Sequence, residues 1–255
     1  MRVAAVLAWS ALKEALRDRL LYSLLGLGAL LLTVLAFMAP LTLGARDKTF
    51  SDVALAWIHA SGLLAMLVLG AWSLHREQER GIWLGILTRP VSRQEYLIGR
   101  VMGLLGVLAL MVGGAALVYL LVAWATGVPP VGHLAVGLLY IVMEMSLLAG
   151  MVLLFSTFTG LVMTLFLALA MFAAGHLSAD LLRFAELSHS AVIKGVALGA
   201  HWVLPHLELY RVRHDLVAGV APAPDAILGA LGYTLLYFTA LVGGAAAIFS
   251  RREIR

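Results

Sequence analysis

Apolar residues run along this chain in long unbroken stretches rather than in alternation. Six runs stand out: Leu20–Leu43, Val53–Leu74, Val101–Ala125, Leu134–Phe155, Leu161–Leu177 and Ala226–Ser250. About 20 apolar residues in a helix match the ~30 Å hydrocarbon core of a bilayer. Each run therefore predicts a membrane-crossing helix, the fifth being the shortest. Polar or turn-forming residues punctuate them. Arg46-Asp47-Lys48 separates the first two, Gly127 with Pro129-Pro130 the third and fourth, and Ser156–Gly160 the fourth and fifth. The expected fold is an all-α integral membrane protein with six transmembrane helices, forming one transmembrane domain over residues 1–255.

Two segments outside the runs carry a helical period. In residues 1–19, Ala5, Trp9, Leu12, Leu16 and Leu20 fall on one face, opposite Ser10, Lys13, Glu14 and Arg17. That pattern predicts an interfacial helix lying in the headgroup plane, with Trp9 at the acyl boundary. The plain alternative is an N-terminal extension of the first span. Residues 178–225 show helical spacing over Ala179–Leu187 and Ala191–Leu204, with Pro205 ending the second. Ala221-Pro222-Ala223-Pro224 is a stiff connector into the last run.

Composition agrees with a bilayer as solvent. Apolar residues make up 62% of the chain and charged residues 13%, against roughly 45–50% and 25% in soluble domains. Cysteine is absent, which excludes disulfides, iron–sulfur ligation and thiolate metal sites. The net charge of +4 suits anionic lipid better than nucleic acid, because no basic stripe with interleaved aromatics is present. Twelve of the eighteen Lys and Arg residues fall in residues 1–19, 75–100 and 251–255. The positive-inside rule then places both termini and the 75–100 loop in the cytoplasm, and 178–225 outside.

The 75–100 loop has the most distinctive local chemistry. Pro90 breaks any preceding helix and holds Arg89 extended. Ser92-Arg93-Gln94-Glu95 is a capping box, so a new helix starts at Ser92. The expectation is a short surface helix just before Gly99 and the third span, suited to docking a soluble partner. The bland alternative is a positive-inside anchor.

An Glu-x-x-Gly element, an apolar stretch and then Arg-Pro-Val-Ser-Arg-x-Glu-Tyr-x-x-Gly-Arg resemble the loop of ABC-2-type transporter permeases. Here the first element corresponds to Gln78–Gly81 and departs from the pattern, with its acid at Glu79. The second corresponds to Arg89–Arg100. The likeness is nearest to permeases of nitrous-oxide-reductase copper maturation, where a segment resembles Leu204-Pro205-His206-Leu207-Glu208-Leu209-Tyr210.

The resemblance implies a permease pair with two copies of a separate ATP-binding subunit in a prokaryotic inner membrane. ATP and Mg would sit on that partner. The loop helix would be the coupling helix, with Arg89, Arg93, Glu95 and Tyr96 as docking contacts and Pro90 and Ser92 shaping it. Glu77, Glu79, Arg80 and Gly81 would support the loop. The expected function is substrate movement, as export, driven by the partner's ATP hydrolysis, with this chain itself not an enzyme. Consistent with that, Gly44–Thr49 lacks the second glycine of a P-loop, and no other stretch supplies one.

Glu144 lies mid-way along the fourth run, where a charge is expensive. It is a candidate proton or substrate contact, or else a hydrogen-bonding partner within the bundle. No second intramembrane acid or base stands out as its relay partner. His176, His189, His201, His206 and His214 are expected externally. The sequence assigns no metal site, because no His-Glu-x-x-His pair occurs. His201, His206 and Glu208 come nearest to one. Gly99 and Gly103 are placed for close packing at a helix base. Serine and zinc protease motifs are absent. Two further classes remain open: an ion- or proton-coupled carrier using Glu144, and a membrane scaffold for maturation of an external metalloenzyme.

Overall fold

A computed structural model of the chain describes residues 2–38, 46–79, 93–178, 180 and 191–251. Every regular element among them is helical. In a bilayer that is the economical solution, since a helix satisfies its own backbone polar groups. The elements are α1 (Arg2–Arg17), α2 (Arg19–Met38), α3 (Arg46–Leu64), a π-helical segment (Ala65–Gly70), α4 (Ala71–Glu79), α5 (Arg93–Thr126), α6 (Leu134–Ser156) and α7 (Leu161–His176). Then come α8 (Ala191–Val203), a 3₁₀ turn (Leu207–Tyr210), α9 (Arg213–Val217) and α10 (Pro224–Arg251).

Five helical stretches are long and apolar enough to cross a membrane: Arg19–Phe37, Asp47–Arg76, Glu95–Thr126, Leu134–Ser156 and Pro224–Ser250. The fifth expected span is the exception to the six-span expectation. It forms α7, whose 16 residues reach only about 24 Å at 1.5 Å per residue. Exposed tryptophans mark two ends of the bundle. Trp9 and Trp72 lie towards one end, and Trp124 and Trp202 towards the other, as in the aromatic belts of spanning proteins.

A break at the α1–α2 boundary separates the N-terminal helix from the first span. Asp18 interrupts the helix, and its Oδ1 accepts the Leu20 amide at 2.8 Å, an N-cap for α2. So α1 is a separate helix, packed along the base of α5. Its docking face is not centred on Trp9 and Leu16, which stay exposed, but on the small residues beside them, with Leu12 half-buried at its edge. A Cβ on Gly103 would come within 2.9 Å of Ala11 Cβ and 3.6 Å of Ala8 Cα, so the glycine permits the close approach. Arg76 of α4 adds an ion pair to Glu14 at 2.9 Å.

The expected short loop helix is also corrected. From Arg93, the first described residue after the loop, the helix continues unbroken for 34 residues to Thr126. No breaker separates Arg93 from Val101, so the turn at Arg93 simply extends into the span. Gly127 ends it with φ +69°, and the Val128 amide reaches back to the Ala123 carbonyl at 3.1 Å, a left-handed stop that glycine allows.

The core is centred on α6, the most enclosed of the five spanning stretches. It packs against α10, α5, α7 and the π-helical segment. Another close approach joins α2 to α3, where a Cβ on Gly28 would overlap the buried Trp57 indole, whereas one on Gly26 would meet nothing within 4 Å. Gly28→Ala is therefore expected to lose about 1–3 kcal/mol through overpacking. Gly26→Ala should hold or raise stability through the better helix former. Thermal unfolding of both variants in detergent tests the pair, and equal melting temperatures would contradict it.

Candidate functional site

Glu144 occupies the enclosed centre of α6 and is 3% exposed. Two histidines meet it from neighbouring helices. His59 Nε2, from α3, lies 2.9 Å from Oε2, and His176 Nε2, the last residue of α7, lies 3.0 Å from Oε1. The expectation that Glu144 lacks an intramembrane partner is thus overturned. His59 sits inside the second apolar run, where it reads as a lone polar interruption. His176 closes the last turn of α7. Phe172, one turn earlier and buried, places its ring centroid 4.8 Å from that of His176 and 6.5 Å from that of His59. It fixes the approach of both imidazoles.

A cavity of about 250 Å³ opens onto this triad, walled by Leu55, Tyr140, Ile141 and Leu216 and rimmed by Arg211, Arg213 and His214. The rim charges are already matched. Arg213 pairs with Asp52 at 3.1 Å, and Arg211 with Glu208 at 3.1 Å. The buried Tyr210 hydroxyl hydrogen-bonds Thr234 of α10 at 2.6 Å. Burial pushes its pKa up to about 12, so it serves as a neutral hydrogen-bonding group.

A second histidine cluster joins α7, α8, the 3₁₀ turn and α10. His201 and His206 meet Nε2 to Nε2 at 2.9 Å. His201 Nδ1 lies 3.2 Å from the Ser178 carbonyl, and His206 Nδ1 3.3 Å from the Tyr233 hydroxyl. One proton arrangement satisfies every contact. Tyr233 donates to His206 Nδ1, His206 Nε2–H donates to His201 Nε2, and His201 Nδ1–H donates to the carbonyl. The His206 backbone amide completes it by donating to the Tyr233 oxygen at 2.9 Å. That arrangement places one ring proton on each imidazole. Glu208, named with them in the sequence, is instead paired to Arg211. Among the described residues no group of three or more His, Asp or Glu side chains is placed to hold a metal ion.

The loop residues are only partly placed. Arg80, Gly81, Arg89, Pro90 and Ser92 lie outside the described residues, as does most of the expected helix Ala179–Leu187. Glu77, Glu79 and Arg93 are described in backbone only, within α4 and at the start of α5. Glu95 lies half-buried on the first turn of α5. Tyr96 stacks on Phe249 of α10 with centroids 5.9 Å apart, and its hydroxyl accepts from Arg100 Nε at 3.3 Å. Arg100, 4% exposed, also donates to the Ser73 carbonyl at 3.2 Å. Tyr96 therefore ties the base of α5 to α10 and α4. A scan of protein-family models finds no match to the chain, and a search of curated proteins finds none either.

The second cluster predicts a pH dependence. Burial, then the neighbouring His201, lower the His206 pKa from its ordinary 6.5. A base with a depressed folded-state pKa binds its proton more tightly when unfolded. Stability is therefore intact above 6.5 and declines as pH falls below that value towards the folded pKa. Melting temperatures across this range should drop for the wild type, and His206→Gln should flatten the acid limb. An unchanged acid limb in the variant would remove His206 as its source.

Proposed function

We propose that this chain is the permease subunit of an ABC-2-type transporter, coupling ATP hydrolysis by a separate ATPase to movement of a substrate across a membrane. The observation that carries it is the single helix α5. It runs 34 residues from Arg93 into the bundle, about 51 Å at 1.5 Å per residue. That exceeds the ~30 Å apolar core of a bilayer, so the helix base stands clear of it. A force applied at Arg93–Tyr96 would move the whole helix as one body. Tyr96, Arg100 and the docked α1 would pass the motion to α10 and α4.

The described part of the family-like stretch, Arg93–Arg100, sits at this base, which is the reason to place the ATPase there. On this reading the chain crosses the membrane six times with α7 as a short fifth span, and both termini lie in the cytoplasm. A second copy of the chain completes the transporter, two ATPase subunits carry ATP and Mg, and the direction is export. Exposed apolar side chains on α2 and α10, such as Phe37, Leu30 and Leu236, offer faces to lipid or to that second copy.

The test is affinity purification from native membranes of the wild type and of the charge swap Arg93→Glu/Glu95→Arg. A soluble ATP-binding subunit should co-purify with the wild type and fall at least tenfold with the swap. Recovery of the intact wild-type chain with no ATP-binding partner would remove the proposal.

A further inference from the structure

We propose that His59, Glu144 and His176 form a proton-binding site, in which three side chains from three helices share one exchangeable proton. The assignment needs no ATPase and stands whether or not the permease reading does. It starts from charge balance. An ionised carboxylate in an apolar bundle must be compensated nearby or give up its charge. Glu144 has its two oxygens within 3.0 Å of two imidazole nitrogens. For each ring to donate, Nε2 must carry hydrogen, which leaves Nδ1 as the position that gains or loses a proton. Among the described residues neither Nδ1 has a hydrogen-bond partner.

With both rings neutral the triad carries one negative charge. One added proton makes it neutral, and a second makes it positive. Burial favours the neutral state, whether the proton sits on an imidazole or on the carboxyl, and these are microstates of one coupled titration.

No other charge nearby does this work. From α3, Asp52 is matched by Arg213, with His214 3.8 Å away. From the 3₁₀ turn and its exit, Glu208 is matched by Arg211. Tyr140 of α6 and Tyr210 contribute hydroxyls, and α10 contributes only the Thr234 hydroxyl behind Tyr210. The counter-charge to Glu144 must therefore come from a bound proton.

Exchange has a route. The side chains of His59 and His176 keep 31% and 27% of their surface open, while Glu144 keeps 4%. Both rings border the 250 Å³ cavity, large enough for several waters at ~30 Å³ each. The imidazoles are thus the accessible members and the carboxylate the enclosed one. A metal would fit this arrangement poorly, because each Nε2 is turned onto a carboxylate oxygen.

The experiment is a pH titration of histidine ¹⁵N resonances in the full-length chain, reconstituted in lipid nanodiscs. His59→Gln and His176→Gln identify the two signals. The wild-type signals should titrate together, each with two steps, as coupled groups do. In Glu144→Gln both midpoints should drop by about one pH unit, a tenfold loss of proton affinity. Should Glu144→Gln not fold, the single variants decide. Removing one ring must shift the midpoint of the other and collapse its curve to one step. Independent single-step curves in the wild type, or midpoints unmoved by Glu144→Gln or by loss of the partner ring, would overturn the proposal.

Discussion

A carboxylate at the centre of the most enclosed helix constrains everything packed around it. Glu144 cannot be left without donors, because an unpaired charge in that setting costs several kcal/mol even after relaxation. His59 of α3 hydrogen-bonds one oxygen and His176 of α7 lies 3.0 Å from the other, so these helices must pack on α6 at a depth and rotation that bring both rings to it. The apolar contacts alone would tolerate other rotations, since Leu, Val and Met side chains interchange with little penalty. The polar triad removes that freedom. The π-helical segment Ala65–Gly70 follows His59 by little more than a turn. Its wider turn changes which residues share a face beyond that point. The stretch keeps His59 on Glu144 while placing Gly70 against Leu104 and Val152.

The two ends of the bundle are closed by different means. At the end bearing α8 and α9, hydrogen bonds run through His201, His206, Tyr233 and Ser178, and an ion pair joins Arg213 to Asp52. At the other end, α1 is clamped to α5 by small residues and to α4 by Glu14–Arg76. His75 adds a bridge there, with its ring nitrogens 2.9 Å from the Ala71 carbonyl and 3.0 Å from the Thr159 carbonyl. The base of α5 is thus held by α1, α4 and α10 together. A push there is shared among the helices that surround α6, rather than absorbed by one flexible joint.

The apolar runs located the helices well because length and hydropathy are properties of a single segment. The capping box at Ser92 falls outside the described residues, and a signal of four positions carries no stop. Nothing between Arg93 and Val101 breaks a helix, and the missing breaker was the cue that the loop helix and the span are one. The N-terminal period identified a helix but not its docking face, because alanines that fit against Gly103 register as weakly apolar beside Trp9 and Leu16. The π-helical turn left no readable trace in the apolar run that contains it. The Glu144 site was half legible. The acid announced itself by its cost, but His59 stands 85 positions away and gave no sign of which helix it would face. A histidine inside an apolar run was the one available signal.

Two histidine clusters in one bundle show why residue type alone does not separate structure from function. In the His201–His206 chain each contact can be met with both rings neutral, and a proton added there breaks a donor–acceptor sequence that is already complete. Such a cluster stabilises by staying as it is. Around Glu144 the same residue type meets a charge that the protein does not otherwise balance. There the neutral-ring state leaves a net negative charge in an apolar setting, and an added proton completes the site. The difference lies in the sign of the local deficit, not in exposure or in the number of hydrogen bonds. A buried polar network that is satisfied when empty holds a fold together, whereas one that is satisfied only when loaded has the character of a binding site.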